Sequence, residues 1–267
     1  MYTMCSARNL LLTVAILATQ FAAADPGVAA SPAREFYQIK IYLLKSAKQE
    51  ALVDRYLQQA YLPALHRAGI FKIGVFKPIA NDTASTRRIF LLLPILDLAT
   101  PGKLLEKLSA DQQYLKDGAE YLDAPFNEPP YLRIETILLE AFPGMPHFGV
   151  PELGGEQTGR VYELRSYEGA TERIHVNKVD MFNKGDEVGL FKRLGFNAVF
   201  YAEVLAGGNM PNLMYMTSFD NMASHDQHWK SFVDDPYWKS LSAMPNYQNN
   251  VSHIDITLMH PAPYSDL

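Results

Sequence analysis

The chain reads as an α+β protein made of two tandem β-α-β-β-α-β units with antiparallel sheets, the ferredoxin-like split pattern. Three observations predict this. Matching blocks recur in order, short period-2 segments alternate with helical ones, and a Pro/Gly-rich stretch divides the copies. "FYQIKIY" (36–42) resembles "VYELRSY" (161–167), and Gly69 before "IFKIGVF" resembles Gly195 before "FNAVFYA". "RIFLLLPILD" corresponds to "NLMYMTSFDN", "DQQYLK" (111–116) to "DDPYWK" (234–239), and "RIETILLE" (133–140) to "HIDITLMH" (253–260). The offset drifts only from 126 to 120 residues across these blocks. Five blocks kept in order imply a duplication.

The organisation follows from the N-terminus onward. Residues 1–24 have the layout of a secretory signal: Arg8, a short apolar run from Leu10 to Ala18, and a small-residue cleavage site at Ala22-Ala23-Ala24. The apolar run is too short to span a membrane, which takes about 20 residues. Export with cleavage near Ala24, to a periplasmic or secreted destination, is the expectation. Residues 25–35 form an N-terminal linker, 36–142 the first unit, 143–159 ("PGMPHFGVPELGGEQTG") a second linker, and 160–267 the second unit. In each unit a strand leads into a long helix that stops at Gly69 or Gly195. A hairpin follows through "NDTAST" or "AGGNMP", then a helical segment and a last strand. Pro63 should kink or restart the first helix, and Gly185-Asp186 the corresponding one, with Asp186 as a fresh N-cap.

The only two tryptophans, Trp229 and Trp238, lie in "HWKSFVDDPYWKSL" (228–241). Trp229, Phe232 and Val233 fall on one helical face. Asp235-Pro236 reads as an N-cap and N1 proline opening a second short helix that carries Trp238 and Leu241. Both rings therefore follow the apolar stripe and are expected in the core. "VYELRSY", the Gly195 block, "PNLMYMTSFDNM" and the W-x-x-F-x-x-D-P-x-W run together resemble the NIPSNAP family over residues 160–260. The first unit has neither tryptophan nor the Asp-Pro. The resemblance implies a dimeric α/β-barrel, two ferredoxin-like sheets facing each other around a central cavity. It implies no settled activity. The vesicle-traffic and mitochondrial associations of family members do not suit an exported chain.

If helices cover one face of each sheet, the other face lines a lumen, and alternation assigns the residues. Tyr162 and Leu164 are assigned to the helices, which leaves Glu163, Arg165 and Tyr167 for the lumen. Tyr201 and Glu203 alternate with Phe200, Ala202 and Val204, and His253, Asp255 and Thr257 with Ile254, Ile256 and Leu258. Because first and last strands are neighbours in such a unit, Glu163, Arg165, His253 and Asp255 are expected to form one polar cluster. The first unit offers Gln38, Lys40, Tyr42, Arg133 and Glu135 at matching places. In that cluster Arg165 would clamp an anionic or carbonyl group, and His253, oriented by Asp255 or Glu163, would be the general acid or base. His225, Asp226 and His228 have a spacing that can hold a metal, but they are expected in solvent opposite Trp229 and Phe232. No metal and no cofactor is therefore expected.

Composition narrows the function further. The net charge of −5 argues against a nucleic-acid partner, and nothing beyond residue 24 is apolar enough for a membrane span. Cys5, inside the signal, is the only cysteine, so the mature chain has no disulfide or thiolate chemistry. No nucleotide-binding or nucleophile-elbow motif occurs. The leading expectation is an exported protein that binds a small molecule in a polar barrel cavity. The alternative is a cofactor-independent oxygenase or isomerase acting on a small polar organic compound. Haem binding would need an axial ligand the sequence does not identify, and a purely structural role would need a dry lumen. Exposed sheet faces would favour a homo-oligomer.

Overall fold

A computed structural model describes residues 33–267. The signal read at residues 1–24 and most of the 25–35 linker lie outside them. In the first unit β1 (Phe36–Leu44) leads to α1 (Ala47–Tyr56) and α2 (Leu62–Arg67). The hairpin β2 (Gly74–Pro78) and β3 (Arg87–Ile95) follows, then α3 (Thr100–Ala110), α4 (Gln112–Asp117), α5 (Ala119–Leu122) and β4 (Arg133–Ala141). The second unit repeats the order: β5 (Val161–Glu168), α6 (Glu172–Asn183), α7 (Glu187–Arg193), β6 (Asn197–Ala206), β7 (Asn212–Phe219), α8 (Met222–Asp234), α9 (Pro236–Ser242) and β8 (His253–Pro261). No helix among the described residues is long and apolar enough to cross a membrane.

Local chemistry sets the helix ends. Ser46 and Thr171 accept from the backbone amides of Gln49 and Ile174, so the first long helix of each unit opens on the same cap. Gly69 (φ +89°) and Gly195 (φ +77°) end them in the left-handed conformation that glycine adopts without strain. Pro63 restarts the first helix, sitting in the first turn of α2. Upstream of it a π-helical turn, Leu57–Tyr61, absorbs the missing donor, with the Leu62 amide bonding the Leu57 carbonyl. At Gly185-Asp186 the chain does break. Asp186 takes the N-cap position of α7, but its side chain bonds Arg193 at 2.6 Å instead of a helix amide.

The strands form one closed antiparallel barrel in the order β1-β3-β2-β8-β5-β7-β6-β4. Each unit contributes a ferredoxin-like sheet, β4-β1-β3-β2 or β8-β5-β7-β6. Pairing of β2 with β8 (Phe76 opposite Pro261) and of β4 with β6 (Glu140 opposite Glu203) joins them. The face-to-face arrangement that the resemblance implies across a dimer is thus made within one chain. The inner sheet faces cover each other, so exposed sheet faces are no longer a ground for self-association.

Three apolar layers result. The lumen is filled by Tyr37, Ile39, Phe90, Leu92, Tyr162, Leu164, Phe200, Met216 and their neighbours. Each such side chain contributes on the order of 1.5–3 kcal/mol on burial. A second layer packs α1–α4 onto the outside of the first sheet, and a third packs α6–α9 onto the second. The 143–159 segment is no loose linker. Phe148 and Leu153 pack against the lumen layer, and the Gly149 amide bonds the Val199 carbonyl, so it closes one end of the barrel.

This layering reverses part of the face assignment. Tyr162, Leu164, Phe200, Ala202 and Val204 belong to the lumen, and Tyr167 and Tyr201 to the layer beneath the helices. Opposite residues of an antiparallel pair share a face. Leu258 is opposite Glu163 and Ile256 opposite Arg165, whereas Asp255 is opposite Ser166 and His253 opposite Glu168. Glu163 and Arg165 therefore lie on the helix side, and His253 and Asp255 on the lumen side. The expected four-residue cluster does not form. Gln38, Lys40 and Tyr42 likewise lie beneath helices, opposite Leu93, Leu91 and Ile89, while Glu135 shares the lumen side with Ile41. Alternation fixes which residues go together. It does not say which group faces inward when both faces are covered.

Candidate functional site

The polar residues of β5 meet the helices of the second unit. Glu163, 1 % exposed, is the hub. One carboxylate oxygen accepts from Arg165 Nε at 2.6 Å, and the other accepts from the Trp229 indole N–H and lies 3.2 Å from His225 Nε2. A buried carboxylate needs such partners, because its desolvation costs several kcal/mol when they are missing. The Arg165 guanidinium lies against the Trp229 ring, 3.7 Å from its centroid, and donates from Nη1 to the Tyr167 hydroxyl at 3.2 Å. Tyr167 and Tyr215 share a hydroxyl–hydroxyl bond of 2.9 Å.

Burial opposes the charge on Arg165, but the Tyr215 and Tyr167 hydroxyls and the Glu163 carboxylate outweigh it and hold the guanidinium's pKa above its ordinary value. Burial likewise pushes the Tyr215 phenol well above its usual range, with Tyr167 adding to it, so Tyr215 stays neutral. Across the seam, Lys178 on α6 and Glu187 on α7 form a buried pair at 3.0 Å, and Lys178 also lies 4.7 Å from the Phe182 ring centroid.

Between these groups is a cavity of about 450 Å³. Arg165, Tyr167 and Tyr215 form its sheet wall, Lys178, Glu187 and Phe191 one helical wall, and Trp229, Phe232 and Trp238 the other. Val233, Val251 and Ile254 line it as well. Trp229 and Trp238 are thus partly buried residues that pack on the aromatic layer and face a cavity, instead of being closed in the core. The Asp235 cap behaves as expected: its side chain accepts from the Tyr237 and Trp238 amides.

Of the sequence-derived site residues, Arg165 and Tyr167 line this cavity and Glu163 backs it. Tyr201 is buried behind the wall, stacked on Tyr215 at 5.5 Å between centroids. Glu203 is set apart, 3.3 Å from His175, whose hydrogen bond holds the carboxyl below its usual range. His253 and Asp255 stand 3.4 Å apart at the open end of the barrel, 59 % and 60 % exposed. There Asp255, Glu135, Arg88, Ser166 and Asn212 line a mouth of about 540 Å³. Glu168 joins His253 and Asp255 with ligand atoms within 4.8 Å of one another, but these groups are largely solvated. His225 is not in solvent: it turns beneath the helices, its Nδ1 2.8 Å from Asp226. The sequence reading missed Lys178 and Glu187. Their signal was legible, since Lys178 shares an apolar stripe with Met181 and Phe182, and Glu187 with Leu190 and Phe191.

Two four-stranded antiparallel sheets closed face to face, with helices outside, define the dimeric α/β-barrel class, here in a single chain. Residues 162–266 match the NIPSNAP family model. Three crystal structures resemble nearly the whole fold. A candidate monooxygenase from Lactobacillus acidophilus NCFM is 11% identical, with 85% of this chain and 94% of that one aligned at a TM-score of 0.56. One from Fusobacterium nucleatum is 8% identical over 86% and 93%, at 0.55. An anthrone oxidase-like protein is 10% identical over 87% and 93%, at 0.50. At such identity the likeness is one of fold alone. No curated protein matches the chain.

Proposed function

We propose that this is an exported protein that binds a small organic molecule between the sheet and helices of its second unit. The observation that carries the reading is the cavity at Arg165, where a partly open guanidinium and a buried lysine meet aromatic walls. Its volume lies in the range of about 300–1,000 Å³ usual for ligand sites, and a few polar groups in an apolar cavity are the ordinary means of orienting a ligand. The barrel mouth is the weaker site, because its acid and histidine are solvated and its lumen side is separated from Arg165 by the sheet. A cofactor-independent oxygenase or isomerase acting at the same cavity is the second reading, supported by the fold likeness to candidate monooxygenases.

The two tryptophans make the test specific, since both line the cavity and the chain has no others. A compound that raises the melting temperature should also change tryptophan emission, and His253→Ala should leave its affinity unchanged. Stabilising compounds that leave the emission untouched would move binding elsewhere and end this reading. For the second reading, oxygen consumption or isomerisation of such a compound should be lost in Arg165→Gln.

A further inference from the structure

The ligand class can be narrowed, and this step rests on the cavity reading above. We infer that the second-unit cavity takes an aromatic carboxylate, with its carboxylate at Arg165 and its ring against the wall of Trp229, Phe232 and Trp238. The hydrogen-bond inventory of the cavity wall carries the inference. Arg165 directs Nε to Glu163 and Nη1 to Tyr167, and its Nη2 has no hydrogen-bond partner among the described residues. The guanidinium face is taken by Trp229, so an incoming acceptor meets the edge. The unpartnered Nη2 can donate to an anionic oxygen, which a guanidinium N–H bonds more strongly than a neutral carbonyl.

Competing negative charge is already engaged. Both Glu163 oxygens face Arg165, Trp229 and His225, and Glu187 holds Lys178 through one oxygen. Lys178 also lines the cavity, its ammonium held by Glu187. The rest of the lining is mainly aromatic, Phe191, Phe232 and Tyr215 with the two indoles beside Val233, Val251 and Ile254, and Trp238 lies 4.5 Å from Phe232 between centroids. Planar rings offer a planar ligand offset or edge contacts that a flexible chain cannot match. One unpartnered guanidinium nitrogen, with Lys178 already bonded to Glu187, suits a single carboxylate and leaves a phosphate dianion short of donors.

Calorimetric titration of the full mature protein with 2-naphthoate, 2-naphthamide and octanoate tests this, with tryptophan emission followed in parallel. Naphthoate should bind at least about tenfold more tightly than naphthamide, the usual worth of a hydrogen bond to a charged group. Octanoate should bind more weakly than naphthoate. Arg165→Gln should remove the naphthoate advantage while leaving naphthamide affinity nearly unchanged. Naphthamide or octanoate equal to naphthoate in the native protein overturns the inference without recourse to a variant. If those equal ligands still change tryptophan emission, the cavity reading stands and only the ligand class falls. Absence of binding by all three probes also overturns the class. Naphthoate binding that leaves the emission unchanged overturns the cavity reading as well.

Discussion

The two helix–sheet seams share one backbone plan and are filled differently. Gln38, Lys40 and Tyr42 of the first unit stand where Glu163, Arg165 and Tyr167 stand in the second. The caps Ser46 and Thr171 hold the same offset, which sets Val53 against Lys178. Asp111 and Asp235 cap the short helices, one residue off the sequence pairing of Asp111 with Asp234, which sets Tyr114 against Trp238. In the first seam phenol rings take up the space: Tyr56 stacks on Tyr121 at 3.7 Å and on Tyr61 at 5.5 Å, and its hydroxyl meets that of Tyr114 at 2.9 Å. Among the described residues Lys40 hydrogen-bonds only the Tyr61 hydroxyl, at 3.4 Å, and burial pushes its ammonium below the ordinary value, with nearby Tyr131 pulling the other way. In the second seam a hydrogen-bonded carboxylate makes a buried guanidinium tolerable, and a cavity remains in front of it. A buried charge survives where its neighbours satisfy it, and Gln38 and Val53, at the places of Glu163 and Lys178, carry none.

The largest test concerns alkaline pH. Burial raises the phenols of Tyr42 and Tyr56, pushes Tyr61 up to about 12, and raises Tyr114 and Tyr121 above the ordinary value of 10.0. A pKa raised in the folded state gives stability that is complete below pH 10 and lost as pH climbs from there, because the unfolded chain releases those protons first. Far-ultraviolet signal and phenolate absorbance should therefore change together above pH 10. Phenolate formation by these tyrosines with the fold intact would show the first seam to be wet.

Next in size is Glu163→Ala, which leaves Arg165 buried without its carboxylate and should cost about 3–5 kcal/mol. Gln38→Ala, at the matching place, should cost under about 1.5 kcal/mol, as a neutral hydrogen-bonding group does. Equal costs in urea unfolding would mean that the two seams handle polarity alike. Lys178→Met alone should destabilise by about 3 kcal/mol by orphaning Glu187, and the Lys178→Met/Glu187→Leu double variant should recover most of that or exceed the native stability. Such recovery would recreate the apolar condition of Val53. The smallest effect is a matched pair: Ser46→Ala and Thr171→Ala should each cost about 1 kcal/mol, since the caps are where the copies still agree. A marked difference in melting temperature between those two would show that the divergence reaches the helix starts.

Much of the architecture was legible in the sequence. The repeat, the stops at Gly69 and Gly195 and the Asp235-Pro236 start depend on local backbone chemistry, which a sequence states directly. The site was legible only in part. Glu163, Arg165 and Tyr167 were grouped correctly, because residues two apart on a strand share a face. They were assigned to the wrong face because polarity was taken to mark the lumen. A lumen closed by Tyr162, Leu164, Phe200 and Met216 is the drier layer, and the helices bring the partners that polar side chains need. His253 and Asp255 were joined to Arg165 for want of the β5–β8 register, which no single strand pattern contains. The pairing of Lys178 with Glu187 joins two successive helices, and the stripe of either helix alone does not state it.

The ring of strands closes within one polypeptide, and this bears on how such a molecule can change. In a symmetric assembly of identical subunits every substitution is made at all equivalent places at once. Here a valine and a lysine can occupy corresponding sites, so one half can keep the barrel closed while the other acquires chemistry of its own.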